Sequence, residues 1–540
     1  MPDPAPGTVP GTVPGRVAAE AARRRTFAII SHPDAGKTTL TEKFLLYGGA
    51  VQDAGQVKAR GERRRVRSDW LDMEQQRGIS ISSTVMQFPY RETVLNLLDT
   101  PGHRDFSEDT YRVLAAADAA IMVLDASSGI EAQTLKLFEV CRERRIPLLT
   151  FVNKWDRPGK EALELTDEIE STLELATMPV TWPVGIAGDF RGLIDRRSGD
   201  YVRFTRTARG ATEAGEENLT PDQARERDGD SYDTAVEEID LLEADGSDLD
   251  RDFFLSADAT PVFFGSALTN YGVRLLLDAV VDIAPAPLPR PDVDGEGRPL
   301  DAPFSGFVFK VQANMDPSHR DRIAFVRVCS GEFERGMVVT HDRTGKPFAT
   351  KYAHSVFGAE RETLEQAYPG DVVGLVNATE VRVGDTLWLD EQVTFPGIPA
   401  FAPELFAIAR PKDIGRFKQF RKGIAQLDEE GVVQVLRDPD FGDQEPFLAA
   451  VGQMQFEVAS ARLADEFGAP AELSMTKYSI ARLTDEDTMP LLRGMTGVRV
   501  LERSDGALLA LFESIYWLQR VESDHPDWIL EPLVAEGLSG

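Results

Sequence analysis

One stretch of sequence decides the fold of the N-terminal part of the chain: Ser31-His32-Pro33-Asp34-Ala35-Gly36-Lys37-Thr38-Thr39. An apolar run, Phe27–Ile30, precedes it, and an amphipathic pattern over residues 40–45 follows it. This order predicts a strand, a tight loop and a helix, which is the context of a phosphate-binding loop. The strict pattern begins with glycine, where this chain has Ser31. The alternative is an ordinary strand-to-helix turn with a surface lysine, and motifs further along the chain decide between the two.

Three residues of this loop have a predicted role in binding an anion. Gly36 lets the backbone come close to a ligand, so that several N–H groups point into one concavity at the helix N-terminus. Lys37 opposes the helix dipole in the first turn, and a bound β- or γ-phosphate would remove that conflict. The hydroxyl of Thr38 is placed to bind Mg²⁺.

A second motif, Asp99-Thr100-Pro101-Gly102-His103, follows the apolar run Val94–Leu98. An acidic residue at the carboxyl end of a strand that faces the phosphate loop can hold Mg²⁺ through water. Gly102 has no side chain, so its N–H can approach a γ-phosphate, and movement of the loop when that phosphate leaves would make it a switch. A plain β-turn is the alternative interpretation of this segment.

A third motif, Asn153-Lys154-Trp155-Asp156, ends the apolar run that begins at Leu148 and predicts guanine recognition. Guanine presents two neighbouring donors, N1–H and the 2-amino group, and the carboxylate of Asp156 can accept from both. Adenine has an acceptor at N1, and a polar group left unpaired in such a site costs about 1–3 kcal/mol. We expect Asn153 to tie the loops together and the stem of Lys154 to pack on the purine. In isolation Asp156 would be read as a helix N-cap.

Two weaker segments complete the predicted site. Ser266, Ala267 and Leu268 follow another apolar run, and their backbone N–H groups can donate to the 6-oxo group of guanine. The segment Arg77–Ile81 lies between the first two motifs, and Ser80 by its position is expected to reach Mg²⁺ and the γ-phosphate. The neighbouring hydroxyls of Ser82, Ser83 and Thr84 remain alternatives to Ser80.

Composition limits the class of protein. The 540 residues are 42% hydrophobic and 27% charged, as in soluble globular proteins, and the length allows two to four domains. The two cysteines, Cys141 and Cys329, are too few for a disulfide framework, which fits a reducing cytosol. No apolar run reaches the ~20 residues that span a bilayer. Residues 1–22 lack the pattern of a signal peptide and are expected to be a disordered tail.

The net charge of −30 argues against binding nucleic acid by bulk electrostatics. Any contact with RNA would therefore need a local basic patch. Two candidates stand out, Arg60–Arg67 and Lys412–Lys422, although either can equally be a solvated surface.

The order of apolar runs predicts an α/β nucleotide-binding domain at 23–283, with an acidic insertion at about 185–258 that is partly disordered. A proline-rich linker at 284–303 separates it from short β runs at 304–395, which predict a small β-barrel. Residues 396–540 alternate strands and helices and predict an α+β domain. The predicted strands of the first domain are Phe27–Ile30, Val94–Asp99, Ala120–Asp125, Leu148–Asn153 and Pro261–Gly265.

Taken together, these motifs resemble those of the translational GTPases, a family with a P-loop GTPase domain followed by a β-barrel domain. Longer stretches at residues 31–50, 76–90, 97–112 and 370–375 are similar to the bacterial peptide chain release factor 3 branch of that family. The resemblance runs from about residue 24 to the C-terminus. It implies GTP and GDP as ligands, Mg²⁺ as cofactor, and docking of the domains on the ribosome.

The resemblance also implies roles for single residues. His103 would position the attacking water, either as a base or by orientation and electrostatics alone. Asp34 resembles an acidic residue of the family's phosphate loop. Ser80 stands where translational GTPases commonly have threonine, and release factor 3 sequences resemble this chain in that respect.

The expected function is a ribosome-dependent GTPase of translation termination, which promotes dissociation of codon-specific release factors without reading stop codons itself. We expect a cytoplasmic protein that is monomeric off the ribosome and does not bind membranes. One alternative is a translocase like elongation factor G, or a ribosome-protection GTPase, but residues 396–540 are few for the additional domains. A GTP-gated scaffold that does not hydrolyse GTP is opposed by His103, and an ATP-dependent kinase by Asn153–Asp156.

Overall fold

The computed structural model describes residues 15–50, 83–205, 214–313, 322–357, 360–376, 378, 380–398, 401–438 and 442–533. Over these residues the chain forms three regions, each with a large β-sheet at its centre. Within the described ranges, no helix has both the length and the apolar composition that a membrane crossing needs.

The start of the chain differs from the sequence prediction. Residues 1–14 lie outside the described residues, and the predicted disordered tail is wrong for α1 (Arg16–Ala22), which is a helix. The Arg16 guanidinium lies over the ring of Tyr368, 5.6 Å from its centroid, and hydrogen-bonds to Gln366. Because so short a helix has little stability of its own, it depends on these contacts with a distant part of the chain.

The N-terminal domain is built on a sheet of seven strands. In chain order they are β1 (Arg24–Ser31), β2 (Thr84–Tyr90), β3 (Thr93–Asp99), β4 (Ala119–Asp125), β5 (Leu148–Asn153), β6 (Ala176–Pro179) and, after an insertion, β11 (Ala259–Phe264). Their order across the sheet is β2-β3-β1-β4-β5-β11-β6, and of these seven only β2 runs antiparallel to its neighbour. All five predicted strands are present, and the predicted α/β fold class is confirmed.

Helices cover both faces of this sheet because neighbouring residues of a strand point to opposite sides. Phe27 and Ile29 of β1 pack in the cluster that contains the helices at 37–47 and 273–283. Ala28 and Ile30 pack in the cluster that contains the helices at 107–114 and 132–143. The helices of this domain are α2 (Lys37–Tyr47), α3 (Ser107–Leu114), α4 (Ala132–Glu143), α5 (Ala162–Leu173) and, after the insertion, α8 (Val273–Ile283).

The insertion between β6 and β11 has secondary structure of its own. It contains a four-stranded antiparallel sheet and a long helix that bends at Gly229. Its first strand begins at Thr181, a little before the predicted start at about 185. Its elements are β7 (Thr181–Val184), β8 (Gly192–Asp195), β9 (Asp200–Thr205), β10 (Gly215–Leu219), α6 (Pro221–Asp245) and α7 (Arg251–Leu255).

The second domain is entirely β, as predicted. Its main sheet has eight antiparallel strands in the order β18-β17-β23-β14-β15-β22-β19-β20, and two short strand pairs flank it. The strands of this domain and of the segment before it are β12 (Arg290–Pro291), β13 (Gly297–Arg298), β14 (Ser305–Ala313), β15 (Arg322–Ser330), β16 (Phe333–Glu334), β17 (Val338–His341), β18 (Lys346–Ala349), β19 (Ala353–Phe357), β20 (Glu360–Thr363), β21 (Gln366–Ala367), β22 (Val372–Val376) and β23 (Thr386–Trp388).

The C-terminal domain has the predicted alternation of strands and helices. Eight strands form one antiparallel sheet in the order β27-β24-β26-β25-β29-β30-β28-β31, and the helices at 417–429 and 453–465 pack together over one face. Its elements are β24 (Leu405–Pro411), α9 (Phe417–Glu429), β25 (Gln434–Asp438), β26 (Gly442–Ala450), α10 (Gln453–Asp465), β27 (Ala471–Met475), β28 (Ile480–Thr484), α11 (Met489–Leu492), β29 (Val498–Arg503), β30 (Leu508–Phe512), α12 (Ile515–Asp524) and β31 (Glu531–Pro532).

Buried polar contacts join the second domain to the first. Both carboxylate oxygens of Asp118, just before β4, accept hydrogen bonds from Arg327 of β15 at 2.6 and 2.8 Å. Arg24 at the start of β1 bonds to Asp371 at 2.7 Å, and both side chains are almost fully buried. Apolar residues of both domains share one cluster around these contacts. The second domain is therefore packed directly on the sheet that carries the predicted nucleotide site.

Candidate functional site

The phosphate-loop motif has the predicted strand–loop–helix context. β1 ends at Ser31 and α2 begins at Lys37, so residues 32–36 form the loop at the carboxyl edge of the sheet. Asp34 and Gly36 both have left-handed backbone, with φ of 65° and 101°. A Cβ on Gly36 would lie 2.2 Å from Nδ2 of Asn153, so only glycine allows this close approach.

Lys37 lies in the first turn of α2 and is almost completely buried. Its Nζ donates to Oδ1 of Asp99, the last residue of β3, at 2.8 Å. The structure therefore brings together the lysine of the first motif and the acid of the second. Thr38 and Thr39 follow Lys37 in the same helical turn and are half-buried.

Asn153 links the loop that precedes α2 to the loop that follows β11. Its Nδ2 donates to the carbonyl of Ala35 at 2.7 Å, and its Oδ1 accepts from the N–H of Ala267 at 2.8 Å. The side chain is buried at the end of β5. This geometry agrees with the prediction that Asn153 ties the loops together.

The other residues of the third motif have different environments. Lys154 has a left-handed backbone, and its Nζ donates to Oδ2 of Asp125 at 2.7 Å. Burial raises the pKa of Asp125, but the hydrogen bonds from Lys154 and Ser127 outweigh that effect and hold the pKa below its ordinary value. Trp155 is buried, and its ring lies edge-on to Phe264. The Trp155 side chain is therefore part of the core rather than a ligand contact.

Asp156 has a buried acceptor without a partner. Its Oδ1 atom is shielded from solvent and has no hydrogen-bond partner in the part of the chain that the structure describes. A buried polar atom is normally hydrogen-bonded, so this oxygen is suited to a donor that arrives with a ligand. The prediction of an acceptor for the guanine N1–H and 2-amino group fits this atom.

The prediction for the motif Ser266–Leu268 is wrong for two of its three backbone N–H groups. The Ser266 N–H donates to the carbonyl of Tyr271 at 2.9 Å, and the Ala267 N–H donates to Asn153. Two of the three N–H groups predicted to face the guanine 6-oxo group therefore have protein partners. The N–H of Leu268, whose side chain is half exposed, is the remaining donor of the motif.

The second motif approaches the phosphate loop through its backbone. A Cβ on Gly102 would lie 3.7 Å from Cα of Pro33 and 3.9 Å from Cε of Lys37. The hydroxyl of Thr100 donates to the carbonyl of Ile29 at 2.6 Å, so this side chain holds β3 to β1. The sequence motif predicts that Thr100 binds the nucleotide, but its hydroxyl is already used in this contact.

His103 lies at the start of the short helical turn Arg104–Phe106, with about a third of its side chain exposed. Its Nδ1 accepts from the N–H of Asp105 at 3.2 Å, and its ring lies edge-on to Phe106. The carbonyl of Pro101, two residues earlier, accepts from the hydroxyl of Thr110 at 3.4 Å.

Ser80 lies outside the described residues, as does the basic patch Arg60–Arg67, but the structure describes two of the alternatives to Ser80. Thr84 begins β2 and pairs with Asp99. Ser83 is buried, its hydroxyl accepts from Nζ of Lys310 at 2.8 Å, and its N–H donates to Asp109 at 2.7 Å. The single hydroxyl oxygen of Ser83 already accepts the hydrogen bond from Lys310, which makes Ser83 less suited to bind Mg²⁺ than a residue with a second oxygen, such as a carboxylate.

Sequence reasoning missed four residues around this site: Asp125, which holds Lys154; Glu131, whose carboxylate lies 2.8 Å from Nε2 of His32; and Lys310 and Asp109, which hold Ser83. Asp125 ends β4 between two strands that carry motifs, so its position at the sheet edge could have revealed it. Lys310 belongs to the second domain, and no pattern near the motifs points to it.

The donor set fits a guanine nucleotide with Mg²⁺. The Asp156 oxygen that lacks a partner within the described ranges can accept from two adjacent donors. Lys37, Thr38 and Asp99 combine a cation with oxygen ligands of the kind that Mg²⁺ prefers. The loop between Ser31 and Lys37 provides the backbone curvature of a phosphate site.

Three family models match successive parts of the chain. Residues 22–286 match the elongation factor Tu GTP binding domain, residues 303–389 match elongation factor G domain 2, and residues 395–522 match the class II release factor RF3, C-terminal domain. The three matches follow the order of the three sheets and together cover most of the chain.

Individual relatives give the same result over nearly the full length. A protein of Microcystis aeruginosa named peptide chain release factor 3 is 50% identical over 520 residues, covering 95% of this chain and 96% of the relative. A protein of the same name from Gloeobacter violaceus is also 50% identical and covers 94% of this chain and 97% of the relative.

A crystal structure of a Thermus thermophilus protein shares the fold with a TM-score of 0.68 at 24% identity, covering 90% of this chain and 72% of the other. This likeness supports the fold alone, whereas the sequence relatives identify the family. The chain belongs to the peptide chain release factor 3 family of translational GTPases.

Proposed function

We propose that this chain is a ribosome-dependent GTPase of translation termination, which promotes the dissociation and recycling of codon-specific release factors. The observation that carries the nucleotide part of this proposal is the bridge made by Asn153 between the phosphate loop and residue 267. Close to it in the chain, Oδ1 of Asp156 has no partner among the residues that the structure describes. Because one side chain joins both loops, the base and the phosphates of GTP or GDP would bind to a single connected site.

The geometry supports a proposed role for each of these residues. The backbone of residues 31–36 and the ammonium of Lys37 would bind the phosphates. Thr38, Asp99 and, outside the described residues, Ser80 would hold Mg²⁺, which neutralises charge on the β- and γ-phosphates. Asp156 and the N–H of Leu268 would select guanine.

His103 is the proposed catalytic residue. It follows Gly102, which lies against Pro33 and Lys37 of the phosphate loop, so a modest movement of the backbone would bring the ring toward the γ-phosphate. There it would orient a water whose oxygen bonds to the γ-phosphorus while the bond to the β–γ bridging oxygen breaks, leaving GDP and phosphate. Positioning and charge stabilisation are sufficient for this reaction.

Partners and location are part of the same proposal. We propose that the ribosome stimulates hydrolysis, that codon-specific release factors are the second partner, and that the protein acts in the cytoplasm as a monomer off the ribosome, without membrane binding. The proposed domains are the GTPase domain at 23–283, the β domain at 304–395 and the C-terminal domain at 396–540. Translocation is the competing function, and the match of residues 395–522 to a release factor domain favours termination.

The test uses ribosomes halted after peptide release with a fluorescent codon-specific release factor bound. We expect the protein with GTP to accelerate loss of the label, and His103→Ala to keep GTP binding but lose ribosome-stimulated hydrolysis. Asp167→Asn, an exposed change on α5, is the control. Undiminished turnover by His103→Ala would remove the role of that residue, and movement of transfer RNA instead of factor loss would favour a translocase.

A further inference from the structure

The loop that carries His103 is fastened to the C-terminal domain by its neighbour Asp105. Oδ2 of Asp105 accepts a hydrogen bond from the N–H of Met454 at 2.7 Å, at the start of α10. Only 14% of the Asp105 side chain is exposed. A carboxylate at a helix N-terminus also interacts favourably with the helix dipole. The contact joins the first domain to the C-terminal domain, which are far apart in sequence.

Gly452 makes this contact possible. A Cβ on Gly452 would lie 2.0 Å from Cγ of Asp105 and 2.2 and 2.4 Å from its two oxygens. Its φ of −146° and ψ of 163° form an extended conformation that any residue adopts. Glycine is therefore required here for space and not for backbone freedom, and the space is filled by a side chain from the GTPase domain.

The same contact determines where His103 lies. The N–H of Asp105 donates to Nδ1 of His103, and Oδ1 of Asp105 lies 3.5 Å from that nitrogen. Phe106, against which the His103 ring rests, is buried in a small cluster with Val458 of α10. Thus Asp105 and Phe106, the two residues that contact the His103 ring in these observations, are both held by the C-terminal domain.

We propose that Asp105, Gly452 and the N-terminus of α10 form a latch that restrains His103, and that displacement of the C-terminal domain releases the residue for hydrolysis. Asp105 is in this view a positioning residue that acts through His103. The proposal rests on the role of His103 given under the proposed function. A partner that binds better to the displaced arrangement of the C-terminal domain would thereby shift His103 toward its active position, as any ligand with unequal affinity for two states must.

The test is a substitution that opens the latch from the C-terminal side, at a residue that belongs to none of the predicted nucleotide-binding motifs. In Gly452→Ala the new methyl group displaces the Asp105 carboxylate. We expect GTP turnover without ribosomes to rise about tenfold, the factor that corresponds to losing one charge-assisted hydrogen bond. GTP affinity should stay unchanged, and Asp105→Ala should produce a similar rise from the other side of the contact.

Gly423→Ala in α9 is the matched control, because the nearest neighbours of its added Cβ are the side chains of Leu463 and Phe467 inside the C-terminal domain. We expect no rise in its ribosome-free turnover. Combining Gly452→Ala with His103→Ala should abolish the gain. Turnover of both latch variants at or below that of the unmodified protein would overturn the latch, as would a gain that persists without His103. Failure of the proposed function would give a different result from failure of the latch, because ribosome-stimulated turnover would then stay intact in the single variant His103→Ala.

Discussion

At the scale of single residues, Asp156 and Ser266–Leu268 show which contacts of the site a sequence motif predicts and which it does not. The identity of Asp156 follows from its motif, and the structure places its Oδ1 without a partner among the described residues, as a base-recognising acceptor needs. The backbone donors predicted for the 6-oxo group of guanine could not be assigned from sequence in the same way. The N–H groups of Ala267 and Ser266 already donate to the side chain of Asn153 and to the carbonyl of Tyr271. The fold places these two acceptors beside the motif, so the motif alone does not predict the contacts.

Asp156→Asn tests base selection. The amide would present a donor to the two donors of guanine, so we expect affinity for GTP to fall about tenfold or more. Xanthine has a 2-oxo group in place of the 2-amino group, so affinity for xanthosine triphosphate should rise. Competition binding with the two nucleotides measures both changes, with Asp167→Asn again as the control. An unchanged preference for GTP would mean that Asp156 does not contact the base.

At the scale of elements, the end of the segment that contains Ser80 is fixed by two other elements. Ser83 lies just before β2, and it is held by Lys310 of β14 in the second domain and by Asp109 of α3. Burial of Ser83 and Lys310 excludes water, so the anchor is stronger than an exposed ion pair would be. The second domain therefore contacts the segment before β2, next to the helix that follows the His103 loop.

Lys310→Met tests this anchor, because methionine keeps the apolar stem and removes the ammonium group. The segment that holds Ser80 would then lose the contact that fixes its end. It would therefore lose more conformational entropy than in the unmodified protein when it contacts the γ-phosphate. We expect affinity for GTP to fall about three- to tenfold and affinity for GDP, which lacks that phosphate, to change little. Fluorescent GTP and GDP analogues report both values, and Lys346→Met on β18 is the control. Equal losses for GTP and GDP would contradict this explanation.

Sequence patterns predicted five of the six parallel strands of the first sheet, because each of the five is a short apolar run, and they missed β6. The pattern did not reveal β2, although Thr84–Tyr90 pairs with all of β3. The turn between the two strands uses Arg91 with a φ of 53°, so neither glycine nor asparagine marks it. The helix α1 was missed for a different reason, since its partners Gln366 and Tyr368 belong to the second domain.

At the scale of the whole molecule, a net charge of −30 must be reconciled with the proposed partner, the ribosome, which is made largely of RNA. Of the two predicted basic patches, the structure describes the one at 412–422. It spans the end of the turn after β24 and the first part of α9, and most of its basic side chains face solvent. Ile414 between them is 85% exposed. An otherwise acidic protein thus presents a local cationic surface.

The double change Lys418→Gln with Lys422→Gln tests whether this surface contacts RNA phosphates. We expect weaker ribosome binding and a shallower dependence of log K on log salt, by about 0.7–0.9 for each phosphate that the two lysines neutralise. Titrations at several salt concentrations measure the slope. The pair Lys346→Gln with Lys351→Gln on the second domain removes the same charge elsewhere, and identical slopes for the two double variants would assign RNA binding to another surface.

The burial of Cys141 and Cys329 has a practical consequence for following motion in this protein. They are the chain's two cysteines, both lie in the core, and burial raises the pKa of Cys141 to about 12, so its thiolate is scarce near neutral pH. Maleimide dyes should therefore react only with cysteines introduced at exposed positions. A dye at Val338 and another at Tyr516 would report by energy transfer on the distance between the second and C-terminal domains, without any change to the native cysteines.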